Sequence, residues 1–270
     1  MWIHGSLNCN ENADPPVQVV RYNGNTFILR QNKCIHYEAP FIYLFLGNKK
    51  ALLMDTGATE DENQFPLYAT VRKIIDGWEK EKKINHPIDL IVAHTHAHAD
   101  HVAGDSQFKN KPRIFVLGLT VKDLVSFFNI ENWPTQEGRI DLGDRVLEII
   151  PIPGHQQASI AVYDHATKIL LTGDSFYPGR LYISDWQAFK LSIQRLVDFT
   201  TTHKIAYLLG NHIEMTKMAS KDYPSGTRYQ PGEHILPLSV NDLLELNHAL
   251  KTAGDKPTHE IHANFIIVPK

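Results

Sequence analysis

The densest group of chemically reactive side chains lies at residues 94–101, which read His-Thr-His-Ala-His-Ala-Asp-His. Imidazoles and carboxylates are ligands that divalent metal ions prefer, and four imidazoles within eight residues exceed what folding requires. Side chains two apart on an extended segment point the same way, so His96 and His98 can bind one ion, while Asp100 and His101 suit a second. A solvated histidine tract or an expression tag is the alternative. Tags lie at termini, whereas this tract follows an apolar run at 88–93, so we expect a metal site.

Three further motifs each place a polar side chain just after an apolar stretch. They are Pro-Gly-His at 153–155, Thr-Gly-Asp-Ser at 172–175 and Leu-Leu-Gly-Asn-His at 208–212. Strand ends can hold a ligand rigidly while the following loop stays open, and glycine permits close backbone approach. Taken singly, His155 and His212 would be ordinary hydrogen-bonded histidines, and Asp174 a turn residue. Together with residues 94–101 they predict a two-metal site.

Length and composition restrict the classes of protein to consider. The chain has 270 residues, of which 43% are hydrophobic, and its net charge is −3. Because it has no surplus of positive charge to attract phosphate groups, we do not expect it to bind nucleic acid. It shows neither a leader pattern at the N-terminus nor a long apolar span, so we expect a cytoplasmic protein without membrane contact. Cys9 and Cys34 are far in sequence from every histidine cluster, and we expect reduced thiols, with a disulfide between them as the alternative.

The pattern of apolar residues predicts the elements that position these motifs. Glycine-bearing turns separate strands at 17–22 and 26–30, and again at 41–46 and 51–54, which predicts two hairpins. Apolar residues at helical spacing predict a helix between Leu67 and Trp78, and Ser239 with Asp242 forms a capping box before another. A closing strand is expected at 261–268. The order of elements suggests two mixed sheets packed face to face with helices outside.

Asp55, the motif at 95–101, His155, Asp174 and His212, in that order, resemble the motifs of the metallo-β-lactamase superfamily of αββα metallohydrolases. The resemblance spans residues 55–212. It implies an α+β fold, an αββα sandwich of two mixed β-sheets with helices on the outer faces. Because no linker or low-complexity tract interrupts the chain, we expect one domain over residues 1–270.

The resemblance also implies a role for each motif residue. The first metal would be held by His96, His98 and His155, the second by Asp100, His101 and His212, with Asp174 bridging both. Asp55 would lie behind the ligands and orient them. Asp100 would also be the catalytic residue that steers the nucleophile or relays its proton. His94 lies outside the pattern and is expected either to be structural or to lie behind the ligands, and not to bind metal itself.

Two dications can lower the pKa of a shared water to roughly 7 and so supply hydroxide at neutral pH. We therefore expect a binuclear hydrolase that cleaves a small ester, thioester or lactone with a metal-bridged hydroxide, with two divalent ions as cofactors. Zinc is favoured, and iron and manganese remain open. A bridging carboxylate such as Asp174 resembles the hydroxyacylglutathione hydrolase and lactonase branches. True β-lactamases lack it, so β-lactam hydrolysis is expected only as a minor activity.

Two other functions are alternatives: an iron-dependent sulfur dioxygenase and, last, a non-catalytic metal-binding module. A small-molecule substrate is expected, and the oligomeric state stays open. Residues 33–40, 176–186 and 215–234 are free to line a pocket, with Tyr177, Arg180, Tyr182, Tyr229 and His234 as candidates. Arg180 is expected to bind a carboxylate on the acyl group through its planar pair of donors. The segment after His212 does not resemble the glutathione-binding helical domain of that branch.

Overall fold

The first sheet of the computed structural model, which describes residues 1–270, contains six strands in chain order. They are β1 (Val17–Asn23), β2 (Thr26–Gln31), β3 (Phe41–Leu46), β4 (Lys50–Met54), β5 (Asp89–Ala93) and β6 (Ile114–Val116). Strands β1 to β4 are antiparallel, and β5 and β6 continue parallel to β4. Both hairpins predicted from the glycine-bearing turns are confirmed.

The second sheet also has six strands, in the order β13-β12-β10-β9-β8-β7. Their bounds are β7 (Gly138–Asp141), β8 (Val146–Pro151), β9 (Ile160–Asp164), β10 (Ile169–Gly173), β12 (Tyr207–Gly210) and β13 (Pro237–Leu238). A third, small sheet joins β11 (Arg180–Ile183), β15 (Ile266–Pro269) and β14 (Glu260–Ile261). The single closing strand predicted at 261–268 is wrong, because the chain reverses there and the His262 N–H donates to Phe265 O at 2.9 Å.

Helices cover both outer faces, so the layers follow the predicted αββα order. Helix α1 (Leu67–Lys82) packs on the first sheet, and α4 (Trp186–Thr202) and α5 (Val240–Ala253) pack on the second. The short α2 (Ala99–Val102) and α3 (Val121–Phe128) lie between β5 and β7 in the chain. The capping box of Ser239 and Asp242 begins α5 as predicted. None of the helices has the length and apolar composition needed to cross a membrane.

The inner strands of the first sheet, β2 to β5, are buried on both faces, and alternate side chains belong to different cores. On β3, Tyr43 and Phe45 join the cluster between the two sheets, whereas Leu44 and Leu46 join the cluster beneath α1. This follows from the period of two residues in a strand. The all-apolar sequence Phe-Ile-Tyr-Leu-Phe-Leu of β3 is therefore explained by its position in the middle layer.

A disulfide joins Cys9 and Cys34, so the expectation of reduced thiols is wrong. The N-terminal segment folds back along residues 32–34, where the Asn32 side-chain amide donates to Asn12 Oδ1 at 2.8 Å and to Asp14 O at 3.2 Å. This contact between distant parts of the chain brings the two Cα atoms to 5.1 Å. Disulfides are rare in cytosolic proteins, and the predicted cytoplasmic location remains untested.

Candidate metal centre

The polar motifs gather at one edge of the sandwich because each follows the carboxyl end of a strand. In the first sheet, β4 ends before Asp55 and the parallel β5 ends before residues 94–101. In the second sheet, β10 ends before Asp174 and the parallel β12 ends before Asn211 and His212. Strand β8 leads into His155. Parallel strands end at the same edge, so these residues meet although they are far apart in sequence.

Three imidazoles form one compact group at this edge: His96, His98 and His155. His96 Nε2 lies 3.0 Å from His98 Nδ1, and His155 Nε2 lies 3.2 Å and 3.0 Å from these two atoms. A tetrahedral zinc ion with bonds of about 2.0–2.1 Å holds its ligand atoms roughly 3.4 Å apart. The triangle of nitrogens is therefore of the right size for one ion.

A second group contains Asp100, His101, Asp174 and His212. Asp100 Oδ2 lies 3.3 Å from the Nε2 atoms of both His101 and His212, which are themselves 3.3 Å apart. Asp174 lies between the groups, with Oδ2 at 3.4 Å from His101 Nε2 and 3.9 Å from His96 Nε2. Its Oδ1 is buried, lies 3.5 Å from His212 Nε2 and forms no hydrogen bond.

In three histidines Nδ1 makes a hydrogen bond on the side away from the ligand group, and this contact orients Nε2 toward the group. His155 Nδ1 donates to Tyr182 O at 2.7 Å, and His212 Nδ1 donates to Glu38 O at 3.1 Å. His101 Nδ1 lies 3.2 Å from Asp55 Oδ2. This arrangement fixes the tautomer that leaves the Nε2 lone pair free, as ligating histidines require.

Asp55 is fully buried behind the second group and connects three segments. Its carboxylate accepts from the Thr95 backbone N–H at 2.8 Å, from Thr95 Oγ1 at 2.9 Å and from Asn211 Nδ2 at 2.7 Å, besides His101. Asp55 has a positive φ of 72°, which directs its side chain under the 94–101 segment. The turn predicted at Asp-Thr-Gly therefore serves to place a carboxylate.

The two groups differ in their electrostatics. Burial lowers the pKa of all three imidazoles of the first group, to about 4 for His155. In the second group burial alone would lower the pKa of His212, but Asp174 and Asp100 raise it to about 9. Burial alone would raise the pKa of both carboxyls, but neighbouring imidazoles lower it. The first group thus offers neutral nitrogens, and the second has ionised carboxylates that favour positive charge between them.

Glycine is required beside the site at two positions. Gly173 has φ +55°, and a Cβ there would come within 2.9 Å of Thr95 Cβ. Gly154 has φ +140°, and a Cβ there would meet Phe189 Cα at 2.4 Å. Both values lie in the region that side chains avoid. The glycines of two sequence motifs thus allow the ligand-bearing loops to pack against the 94–101 segment and α4.

His94 lies outside both groups. Its Nδ1 lies 3.2 Å from His101 O, and its Nε2 lies 3.2 Å from Asp105 Oδ1. These contacts connect His94 to His101 and Asp105 within the segment that bears the ligands.

The candidate substrate residues are spread more widely. Tyr177 is buried, and its hydroxyl donates to Arg180 O at 2.6 Å. The Arg180 guanidinium pairs with Glu214 and Asp222. The backbone carbonyl of Tyr182 accepts the hydrogen bond from His155 Nδ1. Tyr229 packs against His4, and His234 lies 3.2 Å from Asn264 Oδ1, so neither is placed among the metal-group residues.

Sequence reasoning missed the contributions of Thr95, Asn211 and the Glu38 carbonyl. Asn211 Nδ2 donates to both Asp55 and Phe41 O at 2.7 Å, and so joins the edge of the first sheet to the His212 loop. The adjacency of Asn211 to His212 was the available signal. A backbone carbonyl such as that of Glu38 leaves no signal in a sequence.

A family model described as the metallo-beta-lactamase superfamily matches residues 38–208. The chain belongs to the metallo-beta-lactamase superfamily. The match includes all the predicted metal ligands except His212, which follows it by four residues. The metallo-beta-lactamase fold is therefore confirmed for this chain.

Two curated relatives of the superfamily are similar to parts of the chain. The human acyl-coenzyme A thioesterase MBLAC2 is 28% identical over 193 residues, which cover 60% of this chain and 64% of the relative's length. The hydroxyacylglutathione hydrolase of Nostoc punctiforme is 34% identical over 96 residues, covering 35% of this chain and 37% of the relative. The chain thus spans less than two thirds of either relative.

Solved structures share the fold at low sequence identity. A metallo-beta-lactamase from Pontibacter korlensis superimposes with a TM-score of 0.56 at 18% identity, covering 87% of this chain and 99% of that one. At this identity the likeness describes the fold alone. Differences in activity within the superfamily must be sought in the site.

Proposed function

We propose that this protein is a metal-dependent hydrolase of small thioesters, esters or lactones, with two divalent ions, zinc favoured, as its cofactors. The observation that carries the proposal is the position of Asp174 between two ligand groups of suitable size. One carboxylate within 3.4–3.9 Å of both groups is the arrangement expected for a bridging ligand. The printed activities of the two relatives, both of them thioester hydrolases, support the same substrate class.

The residues present fit such ions on chemical grounds. In the first group three ring nitrogens lie within 3.2 Å of one another. The proton of His155 is used on its other ring nitrogen, Nδ1, so its Nε2 faces the group as a lone pair without a donor of its own. In the second group Asp174 Oδ1 is buried without a donor. Buried polar atoms are normally satisfied, so these atoms point to cations as their missing partners. When bound, a pair of such ions lowers the pKa of water to about 7 and polarises a carbonyl oxygen.

Under this proposal the ligands are those expected from the sequence. His96, His98 and His155 would hold one ion and Asp100, His101 and His212 the other, with Asp174 within reach of both. Asp55 orients His101 through the Nδ1 contact at 3.2 Å. Asp100 is the more exposed of the two carboxylates of the set, with 24% of its side chain exposed, and we propose that it holds a nucleophile's proton and passes it toward the leaving group.

We also propose that residues 1–270 act as one domain. Residues beyond the matched segment supply His212 and the helix α5, whose Leu243, Leu246 and Leu250 share a core with α4. Removing them would expose this core and delete a proposed ligand.

The proposal is tested by elemental analysis of the purified protein followed by a hydrolysis screen. The expected result is two zinc ions per chain and turnover of a thioester, ester or lactone, with little turnover of β-lactams and phosphodiesters. Asp174→Ala should lower kcat/KM by roughly a hundredfold or more and reduce the number of bound ions. His165→Ala is the matched control, because His165 is a half-exposed histidine outside both groups.

Other results would redirect the assignment. Stoichiometric iron with oxygen consumption would indicate the dioxygenase chemistry instead. Two bound ions without turnover of any compound would indicate a metal-binding module. Full activity in Asp174→Ala would remove the bridging role on which the proposal depends.

A further inference from the structure

The disulfide between Cys9 and Cys34 lies where a small molecule can reach it. Both cysteines are half-buried, and both line an open cavity of ≈530 Å³ whose other residues come mainly from the N-terminal segment and from residues 32–35. Cavities of this size hold small organic molecules. Neither cysteine belongs to the two ligand groups, so the disulfide is a reactive group outside the metal centre.

The side chains around the two sulfurs favour attack by a thiolate. Arg228 is exposed, lines the same cavity and donates from Nη1 to the Cys34 carbonyl at 2.9 Å. A guanidinium beside a cysteine stabilises its thiolate, and a stabilised thiolate leaves faster in exchange. Asp14, the acidic residue of the cavity, has its Oδ2 engaged by Asn12 Nδ2 at 3.2 Å. The geometry therefore favours attack at Cys9, with Cys34 as the leaving thiolate.

Contacts on both sides of Cys9 fix the N-terminal segment to the body of the protein. Before it, Ile3 O accepts from Arg30 Nη1 at 2.8 Å. After it, Pro16 O accepts from the Asn32 backbone N–H at 3.0 Å. The disulfide is thus attached to a segment that is held at both ends.

The other side of the disulfide leads to the metal centre through a turn at residues 32–39. Within this turn the Cys34 backbone N–H donates to Asn32 Oδ1 at 2.8 Å. Four residues after Cys34, the Glu38 carbonyl accepts the hydrogen bond from His212 Nδ1 at 3.1 Å. The turn contains neither a helix nor a strand, so the position of that carbonyl depends on side-chain contacts and on the disulfide.

We propose that the Cys9–Cys34 disulfide is an exchange site for a small thiol, and that opening it loosens the contact of Glu38 with His212 and so weakens binding of the second ion. In the first step the thiolate of the small thiol forms an S–S bond with Cys9. The bond between the cysteines breaks, and its electron pair stays on Cys34, which takes up the proton of the thiol. A second thiol then displaces Cys9 in the same way. Two thiols are thereby oxidised to one disulfide, and the two cysteines are reduced.

Only the source of the thiol rests on the proposed function. Hydrolysis of a thioester breaks the acyl C–S bond and releases a thiol at the metal centre, which the 32–39 turn adjoins through Glu38. A product thiol that opens the disulfide would lower the affinity for the second ion, so activity would fall as product accumulates.

The exchange is tested on the zinc-loaded full chain with 2-mercaptoethanol, followed by alkylation of free thiols and mass spectrometry. We expect both cysteines to be labelled while circular dichroism shows a folded protein. Arg228→Gln should slow the opening about threefold, as expected for one exposed charge. Arg139→Gln is the matched control, because Arg139 is exposed and lies outside the cavity. Labelling only in denaturant would overturn the exchange site, and equal rates in the two variants would overturn the attack at Cys9.

The consequence for the metal centre is measured after the thiol has been removed, because thiols themselves bind zinc. Zinc titration of the opened, alkylated protein against a chelator should show about tenfold weaker binding of the second ion and little change for the first. This is the lower end of the loss expected when a ligating histidine loses its partner. Cys9→Ser/Cys34→Ser should give the same result without a label.

Leu243→Ala is the control for a general loss of stability, because Leu243 is buried under α5 and lies outside both ligand groups. It should keep both zinc affinities. Equal weakening of the second ion in this control, or an unchanged second ion in the double cysteine variant, would overturn the link between the disulfide and His212.

Hydrogen exchange separates this inference from the proposed function, since it needs neither turnover nor bound metal. The amides of residues 32–38 should exchange faster in the double cysteine variant than in the oxidised wild type. That result, together with no hydrolysis of any thioester by the metal-loaded wild type, would leave the exchange site standing and refute the function. Hydrolysis by the wild type, with unchanged amide exchange and unchanged zinc affinity in the double variant, would do the reverse.

Discussion

Replacing Asp55 with asparagine is the sharpest test of how the second ligand group is held. The wild-type carboxylate accepts four hydrogen bonds in a fully buried position, one on Oδ1 from the Thr95 backbone and three on Oδ2. Asparagine has the same shape but puts an amide donor in place of one oxygen. In either orientation at least one buried donor then faces another donor. One orphaned donor costs about 1–3 kcal/mol, so Asp55→Asn should lower the free energy of unfolding by at least that amount.

The same substitution should weaken the second ion more than the first. His101 loses the carboxylate that fixes its tautomer, and loss of such a partner commonly reduces metal affinity about 10- to 100-fold. The first group is connected to Asp55 only indirectly, through Thr95, whose Oγ1 lies 3.2 Å from His96 Nδ1. Titration of the apo-protein with zinc against a chelator should therefore show one site weakened and one site nearly unchanged.

Asp164→Asn is the matched control for this experiment. Asp164 is an equally buried carboxylate that accepts from Arg145 Nε at 2.9 Å and Nη2 at 2.6 Å, and it lies outside both ligand groups. The variant should lose stability but keep both zinc affinities. If Asp55→Asn bound the second ion as tightly as wild type, or if Asp164→Asn weakened it as much, the reasoning about His101 would be refuted.

Two further predictions concern stability. Burial lowers the pKa of Lys33 to about 7, so between pH 7 and about 10 the unfolded chain binds a proton there that the folded chain does not. Over this range the free energy of unfolding of the wild type should therefore rise, relative to that of Lys33→Met, by roughly 1.4 kcal/mol per pH unit. Denaturant unfolding of both proteins across this range measures the difference, and a constant difference would contradict it. Replacing Cys9 and Cys34 with serine opens a loop of 25 residues and should cost about 3.5 kcal/mol, seen as a Tm roughly 7 °C lower in calorimetry. An unchanged Tm relative to the oxidised wild type would count against this.

The sequence predicted the hairpins, the main helices and the order of layers, because these depend on local periodicity and turn chemistry. Strands β1 to β4 and the capped α5 appear where the pattern of apolar residues and glycines placed them. The reversal near His262 was missed, since no glycine or proline marks it. The pairing of Cys9 with Cys34 was also missed, because it depends on how the N-terminal segment folds back against Asn32.

The sequence by itself determined which residue types could bind metal and that each would follow a strand, since ligand chemistry and strand periodicity are local properties. Only the tertiary structure decided that Asp174 lies between both groups and that Asp55 lies behind one of them, because these positions depend on how two sheets pack. It also decided that Arg180 is not free to bind an external anion, because its guanidinium pairs with Glu214 and Asp222 within the chain. Charge neutralisation depends on neighbours in space, and no pattern along the chain reports them.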